Sequence, residues 1–332
     1  MSESVKISAP GKLMLFGEHA VIYDHPCIVT AISKRASVKV SSLENAPYLL
    51  LDAPDLNIFH HTESLKGLGD KDAPKGVQFV ETAVKNFAQV YGTIPGIHVE
   101  TSSFSSDFGL GSSSAVTVCV IKGLTEIFGV KFTEAQIFDL CYKTILEVQG
   151  SGSGFDVAST IYGGTLYFLT GGKTIEQIGF DEKSKDTTAE EKNFPLIVAY
   201  SGEKADTVSM IQKVSQVAQT ARQEIFDAIG YIVSQGKEAV LKKDWKKVGE
   251  LMDQNQQYLS KLGVSTPKLD SLITAAKNAG ALGAKLSGAG GGDCMIAIVS
   301  DETKAAVTSA LTSAGGQVID VLTNADGVKL DF

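Results

Sequence analysis

The sequence predicts a mixed α/β chain built from two domains, a β-rich half followed by a helix-rich half. Three observations carry this. The 332 residues suffice for two domains or one large one. Strand-like alternation dominates the first forty positions, whereas helical spacing dominates from Thr207 to about Leu262. Between them, Asp181 to Asn193 is crowded with charges and holds no apolar residue except Ala189, as a solvated connection near a boundary would. The domains are set at residues 1–185 and 186–332.

Element by element, Val5 to Gly17 alternates around a Pro10-Gly11 break and reads as strands with a loop between them. Ile28 to Ile32 and Ala36 to Val40 read as two further strands. Leu43 to Pro74 is rich in Asp, His, Gly and Pro and reads as an irregular surface excursion, with His60 and His61 as exposed loop residues. Val80, Ala83, Val84, Phe87 and Val90 recur at helical spacing within Val77 to Tyr91. A strand near Ile97 to Thr101 follows, then helices over Ser114 to Phe128 and Thr133 to Val148, the latter with Thr133 as N-cap. Ser159 to Leu169 has strand character. In the second half, Leu196 to Tyr200 is a strand, and Pro267 fits the first turn of a helix reaching Ala279. Cys294 to Val299 is a strand, Glu302 to Ser313 a helix, and strands close the chain.

Composition narrows the function. Hydrophobic residues make up 43% and charged residues 20%, the balance of a globular protein. A net charge of −8 without any basic stripe excludes a nucleic-acid partner. An anionic ligand must therefore be met locally, by backbone amides, a few lysines and a metal ion. No apolar run approaches the ~20 residues that span a bilayer, so no membrane partner is expected. The N-terminal residues lack a basic region leading into an apolar core. Cys27, Cys119, Cys141 and Cys294 stand far apart, as buried thiols of a reducing, cytoplasmic compartment do.

The most informative segment is Gly109-Leu110-Gly111-Ser112-Ser113-Ser114-Ala115. It follows a turn-rich stretch and runs into apolar residues Val116 to Ile121. If the serines open a helix, their free N–H groups and the helix dipole favour a phosphate. Two further motifs accompany it: Pro10-Gly11-Lys12 through Gly17-Glu18-His19-Ala20, and Ser287-Gly288-Ala289-Gly290-Gly291-Gly292-Asp293. None is a dinucleotide fingerprint. Gly109-x-Gly111 lacks a third glycine, and the late glycines lead into a strand rather than a helix. A Walker-type loop is also absent.

In these three motifs, in this order, the chain resembles the GHMP small-molecule kinases, a family that includes galactose, homoserine, mevalonate and phosphomevalonate kinases. The resemblance covers nearly the full length. It implies an N-terminal domain like ribosomal S5 domain 2 and a C-terminal α+β, ferredoxin-like domain, with ATP and a small-molecule acceptor between them. In that pattern Asp156, within Ser153-Gly154-Phe155-Asp156, orients or deprotonates the acceptor hydroxyl, and Lys12 stands beside it. From composition alone, the favoured reading of Asp156 is an N-cap carboxylate, and Lys12 reads as well as an exposed turn lysine.

The resemblance further implies that Gly109, Leu110, Gly111, Ser112 and Ser114 form the nucleotide loop, while the Ser113 hydroxyl binds Mg²⁺. Gly288, Ala289 and Gly290 close over the substrate. The acidic Mg²⁺ ligand is expected on the helix before Asp156. Glu147 is the candidate, two positions nearer Asp156 than the mevalonate kinase pattern places it. His19, Glu18, Ser153 and Thr207 fall on the acceptor side.

Phe16 to Val21 is similar to mevalonate kinases, whereas Gly152 to Ala158 and Gly291 to Cys294 look more like phosphomevalonate kinases. His19 is weighted most, which makes mevalonate the expected acceptor. Phosphomevalonate is the alternative and would need extra cations, for which Lys204 and Lys285 are the candidates. A non-catalytic sensor of ATP and metabolite is a further alternative, opposed by the presence of both Lys12 and Asp156. Whether the protein is a homodimer is left open.

Overall fold

In a computed structural model, residues 4–43, 46–69, 72–104, 108–178 and 192–331 are described. The connection expected over Asp181 to Asn193 falls almost wholly outside them, and so does the domain limit drawn after residue 185.

The first sheet is built around two long antiparallel strands, β1 (Ser4–Phe16) and β2 (Cys27–Leu43). The first motif therefore lies on one continuous strand, not on two strands with a loop. Pro10 cannot donate to the ladder, and the sheet absorbs it as a register shift between Pro10 and Gly11 rather than by breaking. β2 likewise merges the two strands expected over Ile28 to Val40.

The stretch expected to be irregular contains β3 (Tyr48–Ala53) and β4 (Ile58–Ser64). Leu49, Leu51 and Ala53 alternate into the core, but the unbroken leucine run hides that alternation. β4 is an edge strand bearing His60 and His61, so it has no apolar pattern to read. Helix α1 (Lys75–Tyr91) then delivers the chain to β5 (Gly96–Ser102), which pairs with β2 and, in parallel, with β3. Helices α2 (Ser112–Ile127), α3 (Glu134–Gln149) and α4 (Phe155–Tyr162) follow, and Thr133 caps α3 in a capping box as expected. The strand character read over Ser159 to Leu169 is only half correct. α4 runs to Tyr162, two positive-φ glycines end it, and β6 (Thr165–Leu169) begins there and pairs with β7 (Thr174–Ile178).

The second sheet is antiparallel, in the order β11 (Gln317–Ile319), β8 (Leu196–Tyr200), β10 (Cys294–Ile298), β9 (Gly283–Ser287). Against it pack helices α7 (Trp245–Lys261), α8 (Pro267–Asn278) and α9 (Asp301–Ser313), while α6 (Gln219–Leu241) packs on α7 and on β1, β2 and β7 of the first sheet. The short α5 (Thr207–Ser215) precedes them and buries only Val214. The last strand, β12 (Lys329–Asp331), returns to the first sheet and pairs with β1.

Each sheet has its own apolar core. Ile7, Val38, Val84, Phe87 and Val118 belong to the first, and Val198, Phe226, Leu269, Leu286 and Ile296 to the second. β1 serves both: Met14 faces the first core, while Leu13 and Leu15 face the second. Among the described residues no helix is long and apolar enough to cross a membrane.

Candidate active site

One cavity of about 500 Å³ gathers residues from all three glycine-rich motifs. Its floor is the start of α2. Gly111, at φ 84°, is the N-cap and brings no side chain to bond the first turn. The amides of Ser112, Ser113 and Ser114 therefore open onto the cavity wall with the positive end of a 16-residue helix behind them. This is a seat for an anion.

Lys12 holds that loop in place. Its backbone N–H donates to the Leu110 carbonyl at 2.8 Å, and its Nζ donates to the Gly109 carbonyl at 2.9 Å. Such proximity requires glycine at position 11, where an added Cβ would lie 2.8 Å from the Leu110 carbonyl oxygen. The Lys12 ammonium also sits 5.5 Å from the centre of the Phe155 ring, next to Asp156. Its side chain is 8% exposed and lines the cavity.

Asp156 occupies the first turn of α4. It accepts a hydrogen bond from Ser114 Oγ, which ties the phosphate seat to the carboxylate. Ser153, just before it, is buried against the cavity with a hydroxyl that has no partner among the described residues.

At the other end stand Glu18 and His19. His19 adopts a left-handed backbone (φ 61°), a costly conformation for a non-glycine residue and one concentrated at functional sites. Its Nε2–H donates to the Ala289 carbonyl at 2.8 Å. Burial lowers the imidazole pKa, more than the Ala289 bond raises it, which keeps the ring neutral. Glu18, 1% exposed, pairs with Lys285 on β9. Burial pushes the Glu18 carboxyl up and the Lys285 ammonium down, and the contact between them opposes both shifts. Gly288, Ala289 and Thr207 complete this side of the wall.

Three sequence expectations need correction or refinement. Glu147 does not reach the cavity. Ile145 and Gln149, four residues apart, share the cavity face of α3, and a residue midway between them points elsewhere. Glu147 is paired instead with Lys85 at 2.8 Å and Lys143 at 3.7 Å. Partial burial would raise its carboxyl, but these lysines hold it below the ordinary value. Lys285 cannot serve a phosphorylated acceptor, because it is fully buried and committed to Glu18. Leu110 and Gly290 support the wall without lining it: Leu110 is buried beneath the loop, and Gly290 packs against Val264.

Other cavity residues escaped the sequence reading. Ala53, Leu56, Phe79 and Val80 form an apolar wall, with Asp55 and Lys75 nearby. They come from β3, the turn after it and α1, which share no sequence motif. Asp293 also lines the cavity, at φ 58°, and accepts from the Ala205 N–H at 2.9 Å. An acid closing a run of six small residues, Ser287 to Gly292, was its only signal.

With this geometry, relatives are informative. Residues 78–164 match the GHMP kinases N terminal domain, and residues 237–317 match the GHMP kinases C terminal domain. The mevalonate kinase of Pyrococcus horikoshii is 32% identical over 100% of this chain and 99% of its own length. The chain belongs to the GHMP kinase family. The mevalonate kinase of Saccharolobus solfataricus is 31% identical over 98% of both chains. The crystal structure of the Methanococcus jannaschii mevalonate kinase superposes with a TM-score of 0.78 at 26% identity, covering 96% of this chain and 98% of that one. As a GHMP kinase, the chain has the two-domain fold that the motifs predicted.

Proposed function

We propose that this GHMP kinase transfers the γ-phosphoryl group of ATP to the primary hydroxyl of mevalonate, giving 5-phosphomevalonate and ADP. One observation carries the reading: Lys12, Asp156 and the uncapped start of α2 line a single cavity with His19 and Glu18. The α2 amides take the β- and γ-phosphates, and the apolar wall of Ala53, Leu56, Phe79 and Val80 takes the base. The acceptor lies toward His19, Ser153 and Thr207.

In the transfer, the hydroxyl oxygen bonds to the γ-phosphorus as the bond to the β–γ bridging oxygen breaks. The hydroxyl proton passes to the Asp156 carboxylate, and ADP carries away the released charge. Lys12 leaves the Gly109 carbonyl for the phosphoryl oxygens as charge builds on them.

Mg²⁺ fits this site in a limited way. Ser113 and Asp156 offer one hydroxyl and one carboxylate, and no cluster of three acidic, His or Cys ligands exists among the described residues. Mg²⁺ keeps waters and takes its remaining ligands from phosphates, so such a pair is enough. Once bound, it neutralises phosphate charge.

Mevalonate is favoured over phosphomevalonate because His19 lies on the acceptor side and one of the two candidate cations, Lys285, is already neutralised by Glu18; the other, Lys204, lines the cavity. The four buried free thiols support a cytoplasmic location. An ADP-coupled assay with each acceptor tests the reading: ATP-dependent turnover of mevalonate is expected, and turnover of phosphomevalonate alone overturns it.

A further inference from the structure

Three consecutive contacts join the first motif to the third. Ser287 Oγ donates to the Met14 carbonyl at 2.9 Å and accepts from the Met14 N–H at 3.1 Å. His19 bonds Ala289, and between these Lys285 bonds Glu18. Two of the three need only polar groups. The third buries a full ion pair, with both side chains 0% exposed. A joint held on either side by ordinary hydrogen bonds does not need so costly a contact to stay closed.

The pair is also asymmetric. Lys285 Nζ donates to Glu18 Oε1 and to the Leu286 carbonyl, the latter at 2.5 Å. Glu18 Oε2 is buried and makes no full hydrogen bond among the described residues; beyond Lys285, only its own N–H and that of Gly288 act on the carboxyl, and these are the smallest influences on it. Glu18 lines the cavity and Lys285 does not. A carboxylate oxygen without water or donor is costly until a donor arrives. With no net positive charge left on the pair, the arriving group is a neutral hydroxyl, not a phosphate.

We infer that Lys285 is a positioning residue for the acceptor, gripping Glu18 by one oxygen so that the other is presented to an acceptor hydroxyl. This rests on the proposed kinase reaction but not on mevalonate being its acceptor. Lys285 touches neither substrate. Its effect reaches the reaction only through Glu18.

The test is a steady-state comparison of wild type, Lys285→Met and the apolar double variant Glu18→Leu/Lys285→Met. With Lys285→Met, the acceptor KM rises about tenfold or more, the loss of a charge-assisted hydrogen bond, while the ATP KM stays within about twofold. The double variant removes the unmatched charge and recovers thermal stability, yet its acceptor KM stays raised. A merely structural lysine would move both KM values together in Lys285→Met. That outcome overturns the inference. If Lys285→Met does not fold, Glu18→Leu is the reference for the double variant: equal acceptor KM values beside a normal ATP KM support a role exerted through Glu18, and a further rise in the double variant overturns it. If wild type ignores mevalonate but phosphorylates another alcohol, the proposed substrate falls and the same split is read on that alcohol.

Discussion

Lys12, in the first motif, and Lys285, on β9 just before the third, are used in opposite ways. Lys285 is sealed from water and spends its charge on a carboxylate. Lys12 reaches the cavity and spends its ammonium on a backbone carbonyl and an aromatic face, with no ion pair among the described residues. A carbonyl is a weaker partner than a carboxylate and gives up a cation more readily when phosphate appears. Charge that must act is parked on weak partners, whereas charge that must hold another group is locked to a strong one. The same division separates the two acids: among the described residues Asp156 accepts only the Ser114 hydroxyl, at the start of α2, and Glu18 is gripped by a lysine.

The strongest way to break this contrast is at the reactive end. Asp156→Asn should lower kcat by about 10²–10⁴ with ATP affinity nearly unchanged. Lys12→Met should also act mainly on kcat, by about 10²-fold. Isothermal titration with ATP and single-turnover rates measure both. Equal losses in kcat and ATP binding would make Lys12 a static anchor like its counterpart.

A smaller effect sharpens the metal assignment. Ser113→Ala should raise the Mg²⁺ concentration for half-maximal rate about fivefold, near 1 kcal/mol for one lost oxygen contact. Glu147→Gln should leave it within about twofold, because that carboxylate faces Lys85. A Mg²⁺ titration in which Glu147→Gln has the larger effect would exchange the roles of the two residues.

The smallest effect concerns His19 and stability. The unfolded chain takes up a proton near the ordinary imidazole value of 6.5, while the buried ring resists it. The contribution is therefore intact above that pH and is lost as pH falls below it, by about 1.4 kcal/mol per pH unit at most. Thermal melts of His19→Gln from pH 7 to 5 should show a shallower acid-side decline than wild type. Parallel declines would remove His19 as the cause.

How much of this was legible in the sequence depended on whether the chemistry was local. The helix start after Gly111 was readable because that glycine and the serines after it form one local turn. Asp156 was marked only by the resemblance, since its place in the first turn of α4 suits an N-terminal carboxylate equally. Glu147 misled because nearness along the chain outweighed helical phase. Buried Ile137, Cys141 and Ile145 set that phase and turn position 147 away. The apolar wall was invisible, since Ala53 and Leu56 meet Phe79 and Val80 only through the tertiary fold. The long strands were cut short in the reading because Pro10 looks like a terminator, and only the sheet shows that a bulge tolerates it.

Strand β1 carries Lys12 with Met14 rooted in one core and its neighbours Leu13 and Leu15 in the other. A rod moored on both banks cannot serve as a pivot, since turning it would drag apolar side chains out of one side or the other. Movement that admits a ligand must then come from elements other than β1, while the backbone that carries Lys12 keeps its place.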